Sequence, residues 1–301
     1  MARRDDAVVI EVALNGVHTK ARAALVPTTP DEIAADMIRC LDAGASICHA
    51  HDDVGRDGTA ADLERVCRAT YQKVLAVHPD ALLYPATTWG GPLRERWSHH
   101  AGLARDGLIR TGFVDPGSTN IGILDEDGVP APLDFVYAHS YADIRWWFEE
   151  CERLHLAPNM SIFEPGFLQA ALAYERAGRL PAGAYARFYF GGGEYLTARP
   201  GPFSFGMPPL LPCLEAYLAM LDGSALPWFV AVLAGDVVGS GMARAALERG
   251  GHVRVGLEDA AGARDCSNAE LVEEVVALAN EVGRRVAAPA ETAKLFGFPR
   301  A

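Results

Sequence analysis

Short apolar runs and longer stretches carrying an apolar stripe at helical spacing alternate along the whole chain. The segment 8–16, VVIEVALNG, reads as a buried strand. After a loop, Thr29, Pro30 and Glu32 supply an N-cap, a first-turn proline and a capping-box acid, so a helix starts there. Its stripe is Ile33, Met37 and Leu41, and Gly44 stops it. The next strand is SICHAH, ending at His51. The alternation continues with a helix over 60–77, a strand from 81, a helix over 93–105 and a strand from 108. Residues 122–139 read as a turn-rich excursion before Ser140 caps a helix whose Ile144, Trp147, Phe148, Cys151 and Leu154 share one face. Then come strand NMSIFE, helix 166–178, strand ARFYFGG, a glycine- and proline-rich loop over 191–209, helix 210–222, strand WFVAVLAG and helix 237–249. HVRVGLED, 252–259, is the eighth strand. Ser267 with Glu270 caps the eighth helix, and a short helix over 289–296 closes the chain.

Crossovers of this length are too long for hairpins, so the strands run parallel. Eight such units imply an α/β fold, a (β/α)8 TIM barrel forming a single domain over residues 1–301. A doubly wound open sheet is the rival. No G-x-G-x-x-G follows the first strand and no phosphate-binding G-x-x-x-x-G-K-[ST] occurs, which counts against it.

Composition narrows the partners. With 39 acidic against 27 basic residues, the formal charge of −12 argues against nucleic acid or an anionic membrane surface and favours small polar metabolites. No apolar run approaches a membrane span, and the N-terminus shows no signal-peptide pattern, so the expected location is cytoplasmic. The six cysteines are scattered singly in apolar patterns and read as free thiols.

Barrel enzymes place their chemistry at the carboxyl ends of strands. Strand two ends in His49-Ala50-His51, two imidazoles on the same side that can chelate one metal or simply hydrogen-bond within a loop. In strand eight, Arg254 and Glu258 take the inward parity. A buried carboxylate needs a cation, which is either Arg254 or a metal. Strands two and eight both neighbour strand one in a closed barrel, so His49, His51 and Glu258 can converge there as three ligands with an open position. Strand one adds inward-parity Glu11 and Asn15, and strand five adds Ser161 and Phe163.

The motifs VALNG, PTTPDEIAAD, DAGASICHAHDDVGRDG, GSTNIG, FEPG, GGHVRVGLED, SNAELVEEV and AAPAETAKLFGF stand in this order almost end to end. In order and spacing the chain resembles the β-keto acid cleavage enzymes. The resemblance implies a zinc-dependent barrel enzyme, a homotetramer, that condenses a β-keto acid with acetyl-CoA and releases acetoacetate and a new acyl-CoA. It carries the zinc ligands onto His49, His51 and Glu258, and the catalytic arginine–aspartate pair onto Arg254 and Asp259. The hydroxyl at the end of strand three falls on Thr87 or Thr88. It also implies that the side of the barrel after strand six faces the coenzyme, which makes Gly192 a candidate for cradling its phosphates. Four positions depart from the family pattern. His18 stands where many members carry an acid, a role Glu11 or Asn15 can cover; Asp115 replaces a strand-four asparagine; Ala260 replaces the asparagine after the acidic pair; and HAHDD lacks a basic residue beside the histidines.

Asp259 beside Arg254 is the expected base, with Glu11 next in line, and Asn15, Thr88, Asp115 and Ser161 are expected to contact substrate. His99-His100 reads as solvated surface. A zinc hydrolase on the same barrel, and a non-catalytic barrel that binds metal or carboxylate, are the alternative functions.

Overall fold

The computed structural model describes residues 7–299 apart from 56, 89, 133, 193–202, 205 and 261. Eight parallel strands make the barrel: β1 (Ile10–Ala13), β2 (Ile47–Ala50), β3 (Leu82–Pro85), β4 (Thr111–Val114), β5 (Ala157–Ile162), β6 (Tyr185–Gly191), β7 (Trp228–Leu233) and β8 (His252–Val255). Their order is β3-β2-β1-β8-β7-β6-β5-β4, with helices between them and no ladder joining β3 to β4, so the barrel is nearly closed. β1 is the hinge of the argument. Glu11 lies in register with Ile47 of β2 and with Arg254 of β8, and Ala13 lies level with His49.

Local sequence signals start the helices where the pattern placed them. Thr29, Thr59, Ser140 and Ser267 each form a full capping box, with Glu32, Asp62, Asp143 and Glu270 respectively, each box worth about 1 kcal/mol. The excursion holds a short antiparallel pairing of Gly122–Ile123 with Phe203–Ser204, which lays it across the barrel mouth beside the cavity described below. No helix among the described residues is long and apolar enough to cross a membrane. Four of the free cysteines are buried and two are half-buried.

Two expectations are corrected here. The helix read as continuous over 93–105 is two pieces, Leu93–Arg96 and His99–Arg105, broken at Trp97. The break turns His99 and His100 inward, and both are buried rather than solvated. His100 stacks flat on Trp97 with ring centroids 4.0 Å apart, and His99 Nε2 meets the Ala86 carbonyl at 2.9 Å. The eighth strand ends at Val255, because Gly256 takes a φ of 139° with its α-carbon pressed on β1; a Cβ there would stand 1.9 Å from the Ala13 carbonyl oxygen. Leu257–Ala260 is therefore a helical turn, and strand parity does not govern Glu258 or Asp259.

The barrel interior is unusually polar. TIM barrels fill this space mainly with branched aliphatic side chains. Here Glu11, Arg187 and Arg254 are all buried inside it, and Tyr84 and Asn159 join them.

Candidate active site

Glu11 sits at the centre of the interior network. Its Oε1 accepts from Arg187 Nη1, from Tyr84 Oη at 2.5 Å and from Arg254 Nη1 at 3.0 Å. Arg254 spends every donor it has. Nη1 also reaches Tyr84 Oη at 2.9 Å, Nε donates to Asp259 Oδ2 at 2.7 Å, and Nη2 donates to Asp259 Oδ1 at 3.0 Å and Glu258 Oε1 at 2.9 Å. Burial opposes charge on both carboxyl groups. At Glu258 the opposing pull of its cationic surroundings, of which Arg254 stays charged, wins and holds the carboxyl well below the usual range, whereas at Asp259 burial outweighs Arg254 and raises it. The i,i+4 helical spacing of Arg254 and Glu258 accomplishes what the strand reading assigned to parity.

The sequence-predicted ligands meet. His49 Nε2 lies 3.5 Å from Glu258 Oε2, and His51 Nε2 lies 3.6 Å from Glu258 Oε1. Among the described residues these three form the one group of histidine, cysteine or acidic side chains whose ligand atoms all fall within 4.8 Å of one another. Three features fit a divalent cation. His49 Nδ1 faces the Tyr84 carbonyl at 3.1 Å, which leaves Nε2 with its lone pair toward Glu258, and burial pushes the imidazole well below its ordinary pKa, so it is neutral. Glu258 Oε2 is buried with no hydrogen-bond partner. Gly16, at a φ of 53°, lets the backbone pass so close to Glu258 that a Cβ there would meet its Cγ at 2.7 Å.

Asn15 holds the second histidine. Its Oδ1 accepts from the His51 backbone N–H at 2.8 Å, and its Nδ2 donates to the His51 carbonyl at 2.8 Å and to that of Pro27 at 3.1 Å. Asn15 therefore acts on the loop and does not face the cavity. His18, at the departure from the family pattern, turns Nε2 to the Glu258 carbonyl at 3.0 Å.

These ligands open into a cavity of about 780 Å³, in the range that encloses small-molecule substrates. His49, His51, Glu258, Arg254, Thr87, Thr88, Asp115 and Ser161 all line it. Glu11, Asn15 and Asp259 stand one layer behind that lining. Asp259, the expected base, is covered by Arg254, which engages both its oxygens. Gly192 is also outside the lining. Its N–H donates to the Leu233 carbonyl at 2.8 Å and a Cβ would strike the Ala234 oxygen at 2.1 Å, so this glycine packs the end of β6 against the end of β7 with its own N–H already engaged. The remainder of the glycine run, Gly193, lies outside the described residues.

Sequence reasoning missed Arg187, Tyr84 and Tyr189. Arg187 Nη2 donates to Ser161 Oγ at 2.9 Å and to Asn159 Oδ1 at 3.2 Å, so the expected substrate contact Ser161 is also an arginine anchor. The Arg187 and Arg254 guanidinium carbons lie 5.3 and 5.5 Å from the centroid of the Tyr189 ring. A signal existed: Arg187 stands alone among apolar residues in mid-strand, with the same parity as Tyr189.

A model of the beta-keto acid cleavage enzymes matches residues 7–298. The chain belongs to that family. It is 27% identical to the 3-keto-5-aminohexanoate cleavage enzyme of Acetoanaerobium sticklandii over 97% of this chain and 99% of that one. It is 26% identical to the 3-oxoadipate:acetyl-CoA acetyltransferase of Cupriavidus necator, over 97% of this chain and 95% of the relative. Among solved structures, the apo structure of ObcA superposes with a TM-score of 0.68 at 17% identity, covering 93% of this chain and 67% of that one, a likeness of fold alone. Membership of the family makes this protein an enzyme.

Proposed function

We propose that this enzyme condenses a β-keto acid with acetyl-CoA and cleaves the adduct to acetoacetate and a new acyl-CoA. The observation that carries the reading is the convergence, at the floor of one cavity, of His49, His51 and Glu258 with the buried Arg254–Asp259 pair. The names borne by the relatives, which cleave a β-keto acid or transfer an acetyl group from its coenzyme, support it. His49, His51 and Glu258 would hold a zinc ion, which when bound supplies a Lewis acid for the negative charge that develops on the substrate's oxygens.

Asp259 takes the proton from the carbon between the carboxylate and the keto group. Its raised pKa strengthens it as a base, and its access opens when Arg254 Nη2 moves off Oδ1, 3.0 Å away. The carbanion then attacks the acetyl carbonyl and expels the coenzyme thiolate. That thiolate attacks the original keto carbon, the adjacent carbon–carbon bond breaks with its electrons passing to the carbon that was deprotonated, and the proton returns from Asp259. No protein nucleophile is consumed, in keeping with cysteines whose thiols, at Cys40, Cys48, Cys67 and Cys151, burial pushes far up. Of the two candidate hydroxyls, Thr87 spends its proton on the Arg96 carbonyl at 2.9 Å, whereas the Thr88 hydroxyl has no partner among the described residues, so Thr88 is the donor offered to substrate.

Acetyl-CoA labelled in both acetyl carbons tests the scheme. The label is expected at the methyl and keto carbons of acetoacetate. Release of acetate and the free carboxylic acid, with no acyl-CoA and no labelled acetoacetate, would overturn the condensation and favour a hydrolase on the same barrel.

A further inference from the structure

The cavity contains three guanidinium groups, and they differ in what they have left to give. Arg254 has all five N–H bonds committed to Glu11, Tyr84, Glu258 and Asp259. Arg187 has both terminal nitrogens committed to Glu11, Tyr84, Asn159 and Ser161, and its Nε is sealed from solvent. Arg96 is different. It lines the cavity half-buried on the β3–β4 side, with no ion pair or side-chain hydrogen bond among the described residues, so that both its terminal nitrogens are uncommitted; only its Nε is sealed and unpartnered like that of Arg187.

A buried donor without an acceptor costs free energy that a ligand can recover, and a free guanidinium matches a carboxylate in two parallel hydrogen bonds. The cavity's two other charged wall groups off the floor are acids with other commitments. Asp115 Oδ2 accepts from Tyr137 Oη while its Oδ1 is shut away from solvent, and Asp134 is exposed at the mouth. Tyr137 keeps its proton to make that bond, because burial and then Asp115 push its pKa well above the usual value.

We infer that Arg96 is the specificity-determining residue of this cavity and that the preferred substrate is a β-keto diacid, whose second carboxylate reaches Arg96 while its keto-acid end lies at His49, His51 and Glu258. The inference rests on the proposed reaction for the keto-acid end alone. Arg96 stays in place by its backbone, since its carbonyl accepts from Thr87 and it ends the short helix Leu93–Arg96, so the guanidinium can be changed without touching the floor of the site.

Binding tests this apart from turnover. The zinc-loaded protein is titrated calorimetrically with a six-carbon 3-hydroxy diacid and with the 3-hydroxy monoacid of the same length, neither of which can be cleaved. The diacid is expected to bind tighter by about 10- to 100-fold, the worth of one charge-assisted pair. Arg96→Gln should collapse that ratio to near one, and Arg96→Lys should restore part of it. If the ratio is near one in the wild type, or survives Arg96→Gln, the inference is wrong. A 3-hydroxy acid with an amino tail that binds tighter than the diacid, and loses that advantage in Asp115→Asn, would also overturn it and make Asp115 the recognising group. If Arg96→Gln instead weakens only acetyl-CoA binding, the anion Arg96 meets belongs to the coenzyme and the diacid assignment falls. A failure of the condensation reads differently, as absent acetoacetate with the diacid preference intact.

Discussion

The two sides of the barrel mouth are built on opposite principles. On the side of β1, β2 and β8, every donor of Arg254 is engaged, Glu11 ties β3, β6 and β8 to its own strand, and His49 and His51 are each fixed by a backbone or side-chain bond to a neighbour. On the side of β3 and β4, among the described residues, no ladder closes the sheet and the Arg96 side chain has no hydrogen-bond or ion-pair partner, and the wall is largely the excursion with Phe113, Phe135 and Tyr137. Electrostatic catalysis works through groups held in place beforehand, and on this donor-saturated side, among the described residues, only carboxylate oxygens such as Glu258 Oε2, which a cation would take, are left without a partner. The side on which the proposed second carboxylate would bind keeps unmet hydrogen-bonding capacity for a ligand to complete.

The largest effect that can break this comparison is removal of a ligand at the saturated side. His49→Ala or His51→Ala should lose bound zinc and at least about 10³-fold in turnover while keeping the barrel's circular dichroism, because these side chains stand at the mouth and not in the packed interior. Elemental analysis that finds full metal in both variants would falsify the ligand assignment. Next comes Asp259→Asn, which keeps the bonds from Arg254 but removes the base. Metal should stay, and turnover and exchange of the substrate's α-protons with deuterated water should slow together by about 10²-fold or more. Exchange at the wild-type rate would reduce Asp259 to a positioning role behind Arg254.

The smallest effect is on stability and belongs to the open side. Burial depresses His99 to a pKa of about 4 and His100 well below its ordinary value, so both are neutral in the folded enzyme. The unfolded chain binds their protons first. The stability is thus complete above pH ~6.5 and is lost as pH falls toward 4, by about 3 kcal/mol for His99 alone. Urea midpoints should drop across that window, and His100→Phe, which can still stack on Trp97, should shallow the slope. Parallel slopes in wild type and variant would show that the acid sensitivity arises elsewhere.

The order of strands, the four capped helices and the three metal-binding candidates were all legible in the sequence, because each rests on a local pattern: alternation, a capping box, or H-x-H at a strand end. The break at Trp97 was not legible. An apolar stripe runs on through 93–105, and only the fit of Trp97 against Phe113, whose carbonyl accepts its indole N–H at 3.2 Å, decides that the helix restarts. The route by which Glu258 reaches the site was hidden for a similar reason. Parity along HVRVGLED is a sound rule only while the strand lasts, and the collision that ends it involves Ala13, some 240 residues away in sequence.

By itself, then, the sequence determined the barrel, the family and which side chains could bind metal, since periodicity and residue type suffice for those. Tertiary structure alone decided which of the charged groups are already satisfied. Arg96, Arg187 and Arg254 are the same residue in the sequence, and a guanidinium's availability depends on the acceptors that folding brings within about 3 Å of it, a property of distance that no neighbouring residue encodes.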